Sequence, residues 1–411
     1  MKKNTFYKYI CLTLSAGILC SGCGSADSLT KNIKKQPVET VALDDYNSTI
    51  TDFAVRLFQE SVKNDQNMLI SPLSVLNALA MTANGAAGNT LVEMEETFGL
   101  SIDDLNKYLY TYNQQLPNEK GGSLHQANGI WFSDQDDLSI KTDFLQKNVN
   151  YFDAELYETA FGNATADHIN SWVKKHTDGM IPKIVDTVPE DAVMYLVNAL
   201  AFEGTWSETY KDTQVRDDIF TTIDGTKQTV PMMSSTEWQY LEDEEATGFI
   251  KYYKDSSYAF AALLPNENVT ISDYISHLSG EQLYETLSNP IDICTWTKLP
   301  KFEYEYGLDM NEVLQKMGIW DAFQESTADF SNMTEPTGSG SSIYINKVLH
   351  QTYISVAEQG TKAGAATVVE MNDGAAPIME YREVYLNRPF VYVIMDCENR
   401  IPIFIGMVGA V

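Results

Sequence analysis

The sequence predicts a folded domain whose C-terminal part is made of β-strands, and two observations carry that reading. Residues 382–395 and 401–407 are apolar runs of strand length joined by a short polar turn. Ahead of them lies a small-residue tract, Glu358-Gln-Gly-Thr-Lys-Ala-Gly-Ala-Ala-Thr-Val-Val-Glu-Met-Asn-Asp-Gly374. On strand alternation Thr361, Ala363, Ala365, Thr367, Val369 and Met371 share a face that is small or apolar throughout, while Lys362 and Glu370 fall on the other. Gly360, Gly364 and the turn-forming Asn372-Asp-Gly-Ala-Ala-Pro377 argue for a loop instead. Composition alone would make such a tract a linker, but the strands after it place it inside a folded domain. A segment able to be loop and strand suggests a switch.

The remaining segments follow in chain order. Asn67-Met-Leu-Ile-Ser-Pro-Leu-Ser-Val75 leads into Ala78-Leu-Ala-Met81 and Gly85-Ala-Ala-Gly-Asn-Thr90. Next come Ala127-Asn-Gly-Ile-Trp-Phe132, Ile169-Asn-Ser-Trp-Val173 with Thr177-Asp-Gly-Met-Ile181, and Leu196-Val-Asn-Ala-Leu-Ala-Phe-Glu-Gly-Thr-Trp206. Val230-Pro-Met-Met233, Leu299-Pro-Lys-Phe302, Ala328-Asp-Phe-Ser331, His350, Asn387-Arg-Pro-Phe390 and Pro402-Ile-Phe-Ile-Gly-Met-Val408 complete the series. With the hinge-like tract, these motifs make the chain resemble a serpin from about residue 46 to 411. The resemblance implies a single α+β domain with the serpin fold: several helices around three β-sheets, and an exposed reactive-centre loop at about 358–386. A length of 411 residues would ordinarily divide into two or three domains, yet no Pro/Ser-rich linker separates candidate halves.

The N-terminus reads as an export signal. Lys2, Lys3 and Lys8 precede the apolar Ile10-Cys-Leu-Thr-Leu-Ser-Ala-Gly-Ile-Leu19, and Ser21-Gly22 precede Cys23. This is similar to a lipoprotein signal ending at residue 22 with Cys23 as the lipidated residue, although Cys20 stands where leucine is preferred. An ordinary secretory signal cut nearby is the alternative. Both put the product outside the cytoplasm, secreted or anchored at the cell surface. Residues 23–45, polar with Pro37, are expected to be a flexible tether. No apolar run of spanning length follows residue 24, so membrane association would come only through the lipid.

The whole chain carries a formal charge of −29, and losing residues 1–22 leaves 25 basic against 57 acidic residues, or −32. Such a surface excludes nucleic acid as a partner in the absence of a basic patch. Serpins activated by heparin carry basic residues on an early surface helix, where Lys107 here stands alone among acidic residues over 92–119, which argues against heparin. Of five cysteines, three lie at or before position 23; Cys294 and Cys397 remain, and their family positions on a sheet edge and a hairpin turn imply free thiols.

Catalytic and metal signatures fail. There is no Gly-x-Ser-x-Gly elbow, His-Glu-x-x-His, Walker loop or Cys-x-x-Cys, and the five histidines at 125, 168, 176, 277 and 350 lack ligand spacing, so no enzyme activity, metal or cofactor is expected. Gly338-Ser-Gly-Ser-Ser342 lacks the Lys-Ser/Thr of a phosphate loop and reads as a flexible loop.

The resemblance implies a monomeric serine-protease inhibitor that acts as a suicide substrate. Once cut, the loop inserts into the main sheet and traps the acyl-enzyme. Its hinge would be Glu358, Gly360, Thr361, Ala363, Gly364, Ala365 and Ala366, with Gly360 permitting the turn, Thr361 entering first, and the small residues keeping the path clear. His350 resembles a buried histidine bonded to Asn198, with Ser71 and Ser74 close by, beneath the place where the sheet parts; Trp206 resembles the tryptophan at the top of that opening. Hinge spacing puts the reactive bond at Gly374–Ala375, ahead of Ala375–Ala376, within 373–377, whereas counting back from Asn387-Arg-Pro-Phe390 lands near Ile378. Small residues there, with no Lys or Arg from 371 to 381, point to elastase-like or subtilisin-like proteases. A non-inhibitory serpin serving as a binding or structural protein is the alternative; it would normally show bulky, charged or proline residues in the hinge.

Overall fold

The computed structural model describes residues 26–63, 66–117, 122–134, 139–335, 343–361 and 380–411. The first half of the described chain runs β1 (Asp27–Ser28), α1 (Asn47–Ser61), β2 (Met68–Ile70), α2 (Pro72–Ala83), α3 (Gly88–Phe98), α4 (Ile102–Gln115), β3 (Gly122–Ser133), α5 (Thr142–Phe152), β4 (Glu155–Thr159), α6 (Asn163–His176) and β5 (Met194–Thr205). The second half is β6 (Val215–Thr221), β7 (Lys227–Glu242), β8 (Ala246–Tyr252), β9 (Tyr258–Pro265), α7 (Ile271–His277), α8 (Gly280–Ser288), β10 (Ile291–Pro300), β11 (Phe302–Asp309), α9 (Asn311–Lys316), β12 (Lys347–Ala357), β13 (Gly360–Thr361), β14 (Tyr381–Tyr385), β15 (Phe390–Asp396) and β16 (Pro402–Val408).

Local chemistry sets these boundaries. Helix α2 starts at Pro72, whose missing N–H costs nothing in the first turn, and Ser71 Oγ caps it by accepting from Ser74 N. Every residue of α2 is buried, including Asn77 and Thr82, whose side chains donate to Leu73 O and Ala78 O one turn back in the same helix. Helix α4 is amphipathic by contrast, capped by Ser101 and carrying Asp103 and Asp104 where the helix dipole favours anions.

The strands form two hydrogen-bonded sheets. One has the order β1-β4-β3-β5-β13-β12-β11; the other runs β14-β10-β7-β8-β9-β15-β16-β2, with β6 beside β7. Three sheets were expected. The long strand β7 accounts for the difference, because it pairs β6 and β10 along its length and β8 at its end, joining two layers into one ladder. In the seven-stranded sheet both faces are covered. Tyr195, Val197, Ala199 and Ala201 of β5 pack with Ile169, Trp172 and Val173 of α6, whereas Met194, Leu196, Leu200 and Phe202 enter the main core. That double burial explains why β5 reads as a continuous apolar run.

Residues 26–41 depart from the tether expectation. Strand β1 pairs antiparallel with the edge strand β4, Gln36 N donates to Asn150 Oδ1 at 2.8 Å, Val41 N donates to Thr111 Oγ1 at 3.1 Å, and Leu29, Ile33 and Val41 pack on the core. An unpaired edge beside three spaced apolar side chains is enough to hold this polar stretch down. Cys294 and Cys397 are both free. Cys294 lies on β10, one strand in from the edge because β14 pairs outside it; Cys397 follows β15 in the turn to β16, where burial pushes its thiol pKa up to about 12. The signal, Cys23, Lys362, the hinge residues Ala363, Gly364, Ala365 and Ala366, Glu370, the reactive-bond residues Gly374, Ala375 and Ala376, and Gly338-Ser-Gly-Ser-Ser342 lie outside the described residues.

Chain closure depends on Asn67, just before β2. Its Nδ2 donates to Ala410 O at 2.7 Å, and its Oδ1 accepts from Gly409 N at 2.7 Å and Ala410 N at 3.0 Å. At about 1 kcal/mol per bond, Asn67→Ala should lower stability by about 2–3 kcal/mol. In urea unfolding this is a reduced midpoint at unchanged slope; an unchanged midpoint would remove Asn67 from any role in holding the C-terminus.

Candidate functional site

The seven-stranded sheet is paired unevenly at its centre. Strands β5 and β12 run parallel and pair from Tyr195↔Lys347 to Ala199↔Gln351. Above that point no described residue bridges Leu200–Glu203 and Thr352–Ser355, and at the top β13 enters antiparallel to both neighbours. Its register is Gly360↔Thr205 and Thr361↔Gly204 on one side, Gly360↔Ala357 and Thr361↔Val356 on the other.

Glycine is required at the point of entry. Gly360 has φ +149°, and a Cβ there would lie 1.9 Å from Gly204 O. Thr361 is 1% exposed, and its hydroxyl bonds the Tyr253 hydroxyl. Trp206 stacks on Tyr253 at 4.4 Å and fastens the incoming chain twice: its N donates to Gln359 O at 2.9 Å and its Nε1 to Ala357 O at 2.8 Å. Glu358 pairs with Lys301 at 2.8 Å. Burial would raise the Glu358 pKa, but the Lys301 bond prevails and holds it below the ordinary carboxylate value.

Beneath Trp206 lies a buried cation. Lys251 Nζ bonds Glu237 Oε1 at 2.7 Å and sits 4.5 Å from the Tyr210 ring centre and 5.6 Å from that of Trp206. Burial pushes the ammonium toward deprotonation, yet Tyr210 and Glu237 outweigh it and the pKa is raised. Lys251 stays charged and fixes the underside of the indole.

Lower down, where β5 and β12 are still paired, His350 and Asn198 are register partners. Ser71 N donates to His350 Nε2 at 3.0 Å, so the ring proton sits on Nδ1, which donates to Asn198 Oδ1 at 3.0 Å. The Asn198 amide donates to Ser74 O and to Asn128 Oδ1 at 2.6 Å. Helix α2 thus grips both strands through main-chain atoms: Ser71 Oγ donates to Ile403 O at 2.8 Å, and Ser74 Oγ has no partner among the described residues.

Glu358, Gly360, Thr361 and Trp206 therefore meet at the top of the parted strands, and Ser71, Ser74, Asn198 and His350 at its base. Sequence reasoning missed Asn128, Tyr253, Lys251, Glu237 and Lys301. Asn128 lies within a quoted motif, and Lys251 is the single charge in Gly248-Phe-Ile-Lys-Tyr-Tyr253, a signal that a cation is buried for a purpose.

A family model described as serpin (serine protease inhibitor) matches residues 48–410. Human Serpin B13 is 30% identical, covering 89% of this chain and 99% of its own length. Leukocyte elastase inhibitor of Xenopus tropicalis is 28% identical, with 89% and 99% covered. Among solved structures, the thermophilic serpin tengpin in its native state superposes with a TM-score of 0.90 at 43% identity, covering 94% of this chain and all of tengpin's.

Burial holds the His350 pKa at about 3, against about 6.5 in an unfolded chain. Unfolded His350 takes up a proton that the folded ring refuses, so its contribution is present above pH 6.5 and is lost as pH falls toward 3. Urea titrations across that window should show the acid limb of stability flattening in His350→Ala, with stability at neutral pH lower by about 2–4 kcal/mol. An identical acid limb would mean that another group controls it.

Proposed function

The chain belongs to the serpin family, and we propose that it acts outside the cytoplasm as a suicide inhibitor of elastase-like or subtilisin-like serine proteases. The observation that carries this reading is the seating of Gly360 and Thr361 between β5 and β12. Continuing the register sets residues 362–365 against Glu203–Leu200 and Ser355–Thr352, positions that no described residue bridges. Residues 366–370 would face Ala199–Tyr195 and Gln351–Lys347, which now pair with each other. Insertion to 370 therefore requires opening the five-pair ladder that His350, Asn198 and α2 hold shut.

Chemistry supplies the trigger. The protease serine attacks the carbonyl of residue 374, the peptide bond breaks, Ala375 leaves with a free amine, and residue 374 remains esterified to the protease. The freed end can then enter the sheet. Fifteen residues from 360 to 374, at about 3.3 Å each, carry it about 50 Å. Misplacement of about 1 Å already costs a hydrolase about 10²-fold, so an acyl-enzyme dragged that far does not deacylate. No enzyme activity of this chain is needed. Target class rests on the small residues at 374–376 and agrees with the name of the Xenopus relative, leukocyte elastase inhibitor.

Incubation with subtilisin and with elastase should give a denaturant-resistant complex of one inhibitor and one protease. Thr361→Arg should yield cleaved chain without complex, because a long cation would have to be buried at a position 1% exposed. Unchanged complex yield in that variant would sink the insertion reading. For export, Cys23→Ala should move the protein from the membrane fraction to the medium; retention in the membrane would exclude anchoring at Cys23.

A further inference from the structure

Asp27, the first residue of β1, lies at the end of the seven-stranded sheet opposite the hinge. It faces Glu158 of β4, Glu158 faces Phe132 of β3, and Phe132 faces Met194, where β5 begins. Gly360 and Thr361 face Thr205 and Gly204 at the other end of β5. The ten residues from Met194 to Gly204, at about 3.3 Å each, put about 33 Å between the two ends. The same far end carries Trp320 and Val92, 54% and 47% exposed. Two main-chain bonds place them: Asn346 N donates to Met194 O at 3.2 Å, and the adjacent Ile345 N donates to Ala322 O at 2.9 Å, two residues from Trp320. Val92 adjoins Trp320 through Glu93, whose carboxylate accepts from Trp320 N at 2.8 Å. Ile345 leads into β12, which stands four strand spacings, about 19 Å, from β1 where β5 and β12 pair directly. Asp27 and Trp320 are thus two separated points on one end of the molecule.

We propose that this end is a membrane-docking surface, held to a lipid bilayer by the acylated Cys23 and the Trp320 indole, so that the reactive loop is presented away from the bilayer. The proposal rests on the anchoring of Cys23 put forward above. Chain length identifies the occupant. Asp27 follows Cys23 by four residues, which span at most about 14 Å, so acyl chains in the bilayer keep this end against it. Residues 26–41 add no slack, because Leu29 N donates to Leu156 O at 2.8 Å, Gln36 N to Asn150 Oδ1 at 2.8 Å and Val41 N to Thr111 Oγ1 at 3.1 Å. Tryptophan is a residue type that settles at a membrane–water interface, and a lipid chain gains a stable hold from a second contact. Charge adds no attraction to anionic lipid. Asp27, Glu158, Glu93 and Asp321 are at this end, while Lys316 and Lys347 are paired with Glu312 and Asp309, so the surface fits zwitterionic headgroups.

The test uses the full chain, purified from membranes and incorporated into phosphatidylcholine vesicles whose brominated acyl chains quench tryptophans at the bilayer surface. Wild type, Trp320→Ala and Trp238→Ala are compared, with mass spectrometry reporting the lipid on Cys23. Trp238 is 55% exposed but lies toward the hinge end of β7: Ser235 Oγ donates to the Tyr210 hydroxyl, and Tyr210 N donates to Glu358 O. Vesicle contact should quench the wild type and Trp238→Ala alike, and Trp320→Ala should lose most of that quenching. Trp320→Ala quenched as fully as the wild type, or an acylated wild type that is not quenched, overturns docking and leaves anchoring standing. Quenching lost in Trp238→Ala instead places the hinge end on the lipid and also overturns the proposal. A wild type with no lipid on Cys23 overturns anchoring and docking together.

Discussion

The pairing of β5 with β12 is the constraint on which the rest of this structure depends. Backbone groups at the centre of a sheet need partners, and here the need is met in two ways along the same pair of strands. Five residues on each pair with one another, and at the other end Gly360 and Thr361 serve both edges. Helix α2, buried along its whole length, is placed so that its first turn bonds across the paired part. Helix α6 covers the opposite face. The elements that stabilise the sheet are therefore those that keep the two strands together.

Polar groups at the two ends of the opening are treated differently. At the top the charges persist: Lys301 with Glu358 at the rim, and Lys251 with Glu237 below Trp206. A buried pair of this kind contributes little net stability but leaves an expensive orphan if either partner moves, which fixes position more than it adds energy. At the base no charge is tolerated, and His350 is held neutral by burial while both ring nitrogens are bonded. Displacing the top demands separating ions; displacing the base demands exposing an imidazole and a main-chain N–H.

The two ends of the undescribed stretch 362–379 are fastened in different sheets. One is β13 at the heart of the seven-stranded sheet; the other is β14, a parallel edge strand of the nine-stranded sheet. An intact chain must connect both anchors, so its capacity to enter the sheet is limited by the connection to Tyr381. Cutting that connection is the simplest physical way to release it. The aromatic pair Trp296–Tyr381 stands at the second anchor, which ties the outward face of β10 and β14 to the same segment.

Much of the chain was legible in its order of residues. Gly360 at the turn into the sheet, the small Thr361 after it, and the apolar runs of β15 and β16 follow from periodicity and local conformational cost, which depend only on neighbours in sequence. The motifs also allowed His350, Asn198 and Trp206 to be singled out. What only the tertiary structure decided involves partners far apart in sequence: that Ser71 and Ser74 act through N–H and C=O instead of their hydroxyls, that Lys251 is compensated by Glu237, that residues 26–41 settle onto an open edge, and that β7 joins two sheets into one. Burial and hydrogen-bond choice are properties of what closes around a residue, and a linear pattern contains the residue without its enclosure.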